Sequence, residues 1–311
     1  MKNWSTPDIP SQRGRTAVIT GTGGIGFEAA LALAHAGGEI ILAGRNAQKG
    51  AEAVSRILEG ASRADIRFEQ VDLADLSSVA AFAARLHRQT GHLDLLINNA
   101  GVMTPKTRIE TADGLELQFG TNYLGHFALT AHLLPLLKQG RAPRIVTVSS
   151  IAAREGRIDF DNLHAERAYS PVPIYAQSKL ACLIFALELQ RRSDAQGWGL
   201  TSLAAHPGVS RTDLLPNAPG GAGFLPLLLR PLFQPAWKGA LPILFAATAP
   251  EAKPGGYYGC SHMAETRGFP APARIPAKAQ DEGSAHRLWA TSEALTGVTF
   301  NGARPPALLP A

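Results

Sequence analysis

The segment Thr16-Ala17-Val18-Ile19-Thr20-Gly21-Thr22-Gly23-Gly24-Ile25-Gly26 decides the fold. Thr16–Thr20 is a short, mostly apolar run of the kind that forms a buried strand, and Ile25–Ala36 is rich in alanine and leucine, as a helix would be. Between them Gly21, Gly23 and Gly26 satisfy G-x-G-x-x-G. In a strand–turn–helix setting the first glycine permits the tight turn and the second lets the backbone approach a pyrophosphate. The third packs helix on strand, and the N–H groups at the helix start face the phosphates, with Ile25 beside them.

Outward from this turn the pattern repeats. Strands are expected at Glu39–Ala43, Ile66–Val71, Leu93–Ile97, Arg144–Val148 and Leu200–Ala205. Helices are expected at Ala47–Leu58, Leu76–Thr90, Leu115–Leu134 and Tyr175–Arg192. Apolar strands alternating with helices imply a parallel sheet covered on both faces, and right-handed crossovers make it a doubly wound α/β sheet, the Rossmann fold. After Ala205 the composition changes: twelve prolines fall between Pro207 and Pro276. The expected organisation is an N-terminal extension over 1–14 and one domain over 15–260 with a substrate lid at about 209–236. An irregular C-terminal tail over 261–311 completes it.

Composition narrows the function classes. The chain has 311 residues, a net charge of +5, 45% hydrophobic and 18% charged residues, which excludes a disordered chain or a small stapled scaffold. No block of five or six like charges occurs, so nucleic-acid binding is not expected. Two cysteines, Cys182 and Cys260, are too few for a disulfide framework, and without C-x-x-C or H-E-x-x-H no metal site is expected. Met1–Gly14 has no apolar core for a signal peptide, and Pro226, Arg230, Pro231 and Pro235 break the apolar stretch 220–237, so no membrane partner is expected and the location is expected to be cytoplasmic.

Two features carry chemistry. At the end of the second strand, where an acid would bind a ribose 2′-hydroxyl, the sequence reads Ala43-Gly44-Arg45-Asn46. Arg45 offers a planar cation suited to a 2′-phosphate, so NADP(H) is favoured and NAD(H) is left open. Tyr175 and Lys179 form Y-x-x-x-K at the head of a helix, on one face. An ammonium beside a phenol favours the phenolate, so such a phenol can exchange a proton with an alcohol or carbonyl near neutral pH.

Thr20-Gly21-Thr22-Gly23-Gly24-Ile25-Gly26, Asn98-Asn99-Ala100-Gly101, Val148-Ser149-Ser150, Tyr175-x-x-x-Lys179 and His206-Pro207-Gly208 stand in the order of the short-chain dehydrogenase/reductase family, which the chain resembles from about Arg15 to Leu215. Gly156-Arg157-Ile158-Asp159-Phe160-Asp161-Asn162-Leu163 followed by Tyr175-Ala176-Gln177-Ser178-Lys179-Leu180-Ala181 is similar to the retinol-dehydrogenase and WW-domain-oxidoreductase-like branch and its bacterial relatives. The resemblance implies that Tyr175 is the general acid/base and that Lys179 holds the nicotinamide ribose and lowers the tyrosine pKa. Ser150 polarises the substrate carbonyl, and Asn122 supports a proton-relay water. It implies that Asp72, followed by Leu73, meets the adenine, that Asn98, Ala100 and Gly101 line the cofactor, and that Pro207, Gly208, Val209 and Thr212 approach the nicotinamide carboxamide. Dimers or tetramers are also implied.

The chain departs from the family pattern in having two residues, not three, between Gly21 and Gly24. Ser150 and Tyr175 lie 25 positions apart, with the charged segment Arg157–Arg167 between them. The expected activity is NADP(H)-dependent interconversion of a ketone or aldehyde and its alcohol, on an apolar small molecule if the Leu-, Phe- and Pro-rich stretch 214–233 forms the lid. The alternatives are a non-catalytic dinucleotide-binding sensor or scaffold of the same fold and a peripheral membrane enzyme acting on lipidic alcohols.

Overall fold

The computed structural model describes residues 3–210 and 233–300. Thr212 and most of the expected lid lie outside them. One sheet of eight strands organises the chain, in the order β3-β2-β1-β4-β5-β6-β7-β8. The strands are β1 (Thr16–Thr20), β2 (Glu39–Gly44), β3 (Asp65–Gln70), β4 (Leu95–Asn98), β5 (Arg144–Val148), β6 (Thr201–Ala205), β7 (Tyr257–His262) and β8 (Arg267–Pro272). All neighbours pair in parallel except β7 and β8, which form an antiparallel hairpin. The order reverses at β1 and β4, which opens a crevice at the carboxyl ends of the strands.

Helices cover both faces. Val18 and Ile41 point to one, with α3 (Leu76–Gln89), α5 (Gly125–Leu137) and α6 (Pro171–Gln196); Ile19, Ile40 and Leu42 point to the other, with α1 (Gly24–His35), α2 (Ala47–Gly60) and α7 (Ala236–Thr248). This is why β1, β2 and β4 read as continuous apolar runs. The long, apolar α6 would be long enough to cross a membrane, but 78% of its most apolar window is buried inside the fold, as suits a core helix.

Three sequence expectations change. The helix expected at Leu115–Leu134 is divided into a short α4 (Leu117–Phe119), a π turn over Gly120–Leu124, and α5. The helix carrying Tyr175 starts four residues earlier, at Pro171, because prolines are tolerated in a first turn where N–H groups lack partners anyway. In its described residues, 261–300, the tail expected to be irregular carries β8, a short α8 (Ala277–Gln280) and α9 (Glu282–Thr296). Asp281 caps α9, Gly297 ends it with φ of 68°, and Trp289 packs edge-on to Phe127 of α5 at 5.1 Å between ring centres. The hairpin escaped the periodic reading because Pro270 and Pro272 interrupt β8, which an edge strand tolerates.

Candidate active site

A cavity of about 240 Å³ lies at the carboxyl ends of the strands. The β1–α1 turn brings Gly21, Gly23 and Ile25 to it, the segment after β4 brings Ala100 and Gly101, α6 brings Tyr175 and Lys179, and the turn after β6 brings Pro207. The end of β5 brings Val148 and Ser149, so five chain segments distant in sequence meet in one place, and the expected Ser150 is the residue next to the wall rather than on it.

The glycines are required by space. Gly21 has φ of 96°, and a Cβ on it would lie 2.8 Å from Asn99 Nδ2; a Cβ on Gly26 would lie 2.1 Å from the Gly21 carbonyl oxygen. Gly23 is the N-cap of α1, so the first N–H groups of that helix open on the turn. A Cβ on Gly101 would meet Asn122 Oδ1 at 2.9 Å and Lys179 Nζ at 3.5 Å. Bare backbone thus lines the cavity where a nucleotide would pass, which is the fit a dinucleotide needs.

Lys179 is buried, and its Nζ donates to the Val148 carbonyl at 3.1 Å. It stands 5.9 Å from the centre of the Tyr175 ring. Tyr175 is half-buried. Ser150 caps the 3₁₀ turn Ile151–Arg154, its Oγ accepting the Ala152 N–H at 3.2 Å, which leaves the hydroxyl hydrogen for another acceptor. Its neighbour Ser149 is spent on structure, donating to the Lys179 carbonyl at 2.7 Å.

Asn122 sits in the π turn. Its Oδ1 accepts the Val102 N–H at 2.7 Å, and its Nδ2 donates to the Val102 carbonyl at 3.0 Å and to Ser178 Oγ at 3.0 Å. The side chain is thus a clamp on the segment after β4. The Asn122 carbonyl accepts from His126 Nδ1 at 2.9 Å and from the Cys182 thiol at 3.2 Å. A carbonyl only accepts, so His126 carries its proton on Nδ1. Its Nε2 is therefore the acceptor of the Thr20 hydroxyl at 2.8 Å. Thr20 Oγ in turn accepts the N–H groups of Asn99 and Ala100 at 2.9 and 3.0 Å. Burial, helped by the Lys179 charge and opposed by the bond to Asn122, pushes the His126 pKa down to about 4. The imidazole is a neutral link between the ends of β1 and β4 and the π turn.

Two expected cofactor residues are placed differently. Asn98 does not line the cavity: its Nδ2 donates to Thr130 Oγ1 at 3.0 Å inside the core, and Asn99 takes the place on the wall. Alternate strand residues face opposite sides of the sheet, so the first asparagine of the pair turns inward. Leu73 is buried, with its carbonyl where a Cβ on Gly125 would lie 2.4 Å away, so it supports the π-turn helix. Asp72 does not cap α3, which Asp75 does; its Oδ1 accepts the Ala74 N–H in a turn at the end of β3. Arg45 is exposed just after β2, where its carbonyl accepts from Gln70 Nε2 at 3.0 Å, and its neighbour Gly44 faces Thr22 of the glycine turn, whose Cγ2 would lie 2.8 Å from a Cβ there. Gly208 has φ of 64°, and the Val209 N–H donates to the Thr266 carbonyl at 2.7 Å.

Sequence reasoning missed Thr20, Asn99 and His126. The one available signal was His126 lying one helical turn after Asn122, which a broken helix could have used.

Residues 15–220 match the family described as short chain dehydrogenase. The chain is similar to polyprenol dehydrogenase of Mus musculus, 41% identical over 303 residues that span 94% of this chain and 87% of the relative. It is also similar to retinol dehydrogenase 13 of Homo sapiens, 42% identical over 296 residues, spanning 92% and 85%. A crystal structure of an uncharacterized protein from Mycobacterium paratuberculosis has a TM-score of 0.81 at 39% identity, covering 97% of this chain and 100% of that one.

Proposed function

The chain belongs to the short-chain dehydrogenase family, whose members are oxidoreductases that bind a nicotinamide dinucleotide, and on that footing we propose that it interconverts a ketone or aldehyde and its alcohol with NADP(H). One observation carries the reading: Tyr175 and Lys179 share a single cavity with the glycine turn.

The bound nicotinamide would supply or take the hydride. In reduction the Tyr175 hydroxyl gives its proton to the substrate oxygen, and in oxidation the phenolate takes it back. Lys179, steered by the Val148 carbonyl, brings an ammonium to 5.9 Å from the centre of the Tyr175 ring, on the same side of the cavity. Ser150 donates its free hydroxyl hydrogen to the carbonyl oxygen. Asn122, His126 and Thr20 hold the wall against which a bound dinucleotide would lie. Arg45, an exposed cation directly after β2 with no acid in its place, supports the choice of a 2′-phosphate.

An apolar substrate is part of the proposal, supported by relatives named for retinol and polyprenol. So is a cytoplasmic location, supported by two free, buried cysteines and checked by cell fractionation. The test is NADPH oxidation with retinal and a panel of aryl ketones and aldehydes. Tyr175→Phe is expected to lower kcat by about 100-fold or more with NADPH binding little changed. Arg45→Glu is expected to move the NADPH/NADH preference toward NADH by about 10-fold or more. No turnover by the wild type, or full turnover by Tyr175→Phe, would sink the mechanism, and an unmoved preference would sink the cofactor assignment.

A further inference from the structure

The tip of the β7–β8 hairpin lies outside the matched family segment and reaches back to the site. His206, at the end of β6, is fully buried. Its Nδ1 accepts the Gly208 N–H at 3.2 Å, so the ring proton is on Nε2, which donates to Glu265 Oε2 at 2.8 Å. The same Oε2 lies 2.5 Å from Arg154 Nη2, and Oε1 accepts the Arg274 N–H at 3.0 Å. Burial pushes the Glu265 pKa up, but the bonds from His206 and Arg274 and the charge of Arg154 outweigh it and hold the carboxyl below its usual range.

Arg154 is the last residue of the 3₁₀ turn that Ser150 caps. Tyr257 of β7 donates to the Ser150 carbonyl at 3.3 Å, so the hairpin grips both ends of that turn. On the other side the Thr266 carbonyl accepts the Val209 N–H and would lie 2.4 Å from a Cβ on Gly208. Met263, Ala264 and Glu265 have φ of 50°, 52° and 68°, three consecutive non-glycine residues in the left-handed region. Such residues are strained and persist only where the surroundings over-determine them. The contacts of Glu265 and Thr266 are what over-determine them here.

We propose that Glu265 is a positioning residue whose one carboxylate oxygen ties the Ser150 turn to the His206–Gly208 turn. It thereby sets the spacing between the hydroxyl that polarises the carbonyl and the wall beside the nicotinamide end. This rests on the oxidoreductase reading above.

The test compares Glu265→Gln, which keeps size and loses the charge, Arg154→Met, which leaves the hairpin residues intact, and the double variant. The measurements are single-turnover hydride transfer with NADPH and its 4-deuterated form, steady-state kcat and KM, binding of adenosine 2′,5′-bisphosphate, and Tm. Glu265→Gln is expected to slow hydride transfer by about 10- to 100-fold, the scale of a displacement near 1 Å, with a larger isotope effect and unchanged bisphosphate binding. Arg154→Met should behave alike, and the double variant should be no slower than the slower single one. Hydride transfer at the wild-type rate in Glu265→Gln, or losses that simply add and follow Tm, would overturn the positioning role. If Glu265→Gln does not fold, the rate in Arg154→Met decides. A wild type without turnover, or a fully active Tyr175→Phe, refutes the oxidoreductase reading itself and is thereby distinguished from failure of the Glu265 role alone.

Discussion

His126, behind the wall formed by the ends of β1 and β4, and His206, behind the β7–β8 hairpin, are equally deep in the protein but hold the site by different means. His126 carries its proton on Nδ1 and links a carbonyl to a hydroxyl, so every partner is neutral. His206 carries its proton on Nε2 and gives it to a carboxylate shared with a guanidinium. The first region is sealed; in the second, the Glu265 side chain is 20% exposed. The wall at the ends of β1 and β4 is thus built from neutral dipoles, whereas the corner proposed to set the substrate against the nicotinamide is held by charges that solvent can reach.

The largest expected effect separates the two by acid. The folded-state pKa of His126 is depressed to about 4 from an ordinary 6.5. Between those values the unfolded chain binds the proton and the folded chain does not, so stability rises with pH through this window. It is complete above about 6.5 and lost as pH falls toward 4, with a size on the order of 3 kcal/mol. At His206 burial also lowers the pKa, and there the bond and charge of Glu265 oppose it, which no charged partner does at His126. Urea unfolding from pH 7 to pH 4.5 is expected to show a steep loss for wild type and a shallower one for His126→Gln. Parallel curves would erase the distinction.

A smaller effect comes from one glycine in each region. A methyl on Gly26 would lie 2.1 Å from the Gly21 oxygen, and one on Gly208 would lie 2.4 Å from the Thr266 oxygen, backbone atoms in both cases. Each alanine variant is expected to lose about 1–3 kcal/mol of stability. Gly26→Ala should also lose binding of NADPH and of adenosine 2′,5′-bisphosphate. Gly208→Ala should keep the bisphosphate and lose turnover. Titration of both ligands into both variants decides; bisphosphate binding by Gly26→Ala at the wild-type level would show that the glycine turn does not govern that half of the cofactor.

These two regions also mark what could be read in the sequence. The sheet through β6, the glycine turn, and Tyr175 with Lys179 were legible because they follow from periodicity and local spacing. The inward turn of Asn98 depends on which sheet face a strand-end residue takes, and the π turn at Asn122 interrupts an otherwise uniform apolar run. Neither leaves a periodic trace. The hairpin was least legible: its second strand contains proline, its turn uses non-glycine left-handed residues, and Glu265 finds Arg154 from 111 positions away. Such contacts are set by tertiary packing, whereas α9 did carry its own signals in Asp281 and Gly297.

The smallest expected effect concerns salt. The Arg154–Glu265 pair has side chains 23% and 20% exposed, so solvent and salt reach it. Raising ionic strength from about 0.1 M to 1 M shortens the screening length from about 10 Å to 3 Å, which weakens this pair and leaves the neutral bonds of His126 untouched. Arg45, on the proposed 2′-phosphate, would respond too, but through cofactor affinity, so the measurement is kcat at saturating NADPH. Wild-type kcat is expected to fall by about 2- to 5-fold, less than the loss in Arg154→Met because salt weakens the pair without removing it, and Arg154→Met, already slow, should be flat. A wild-type kcat indifferent to salt would mean that the hairpin corner is held by the backbone contacts of Thr266 and the Tyr257 bond rather than by charge, and the two regions would then differ only in which nitrogen of the imidazole carries the proton.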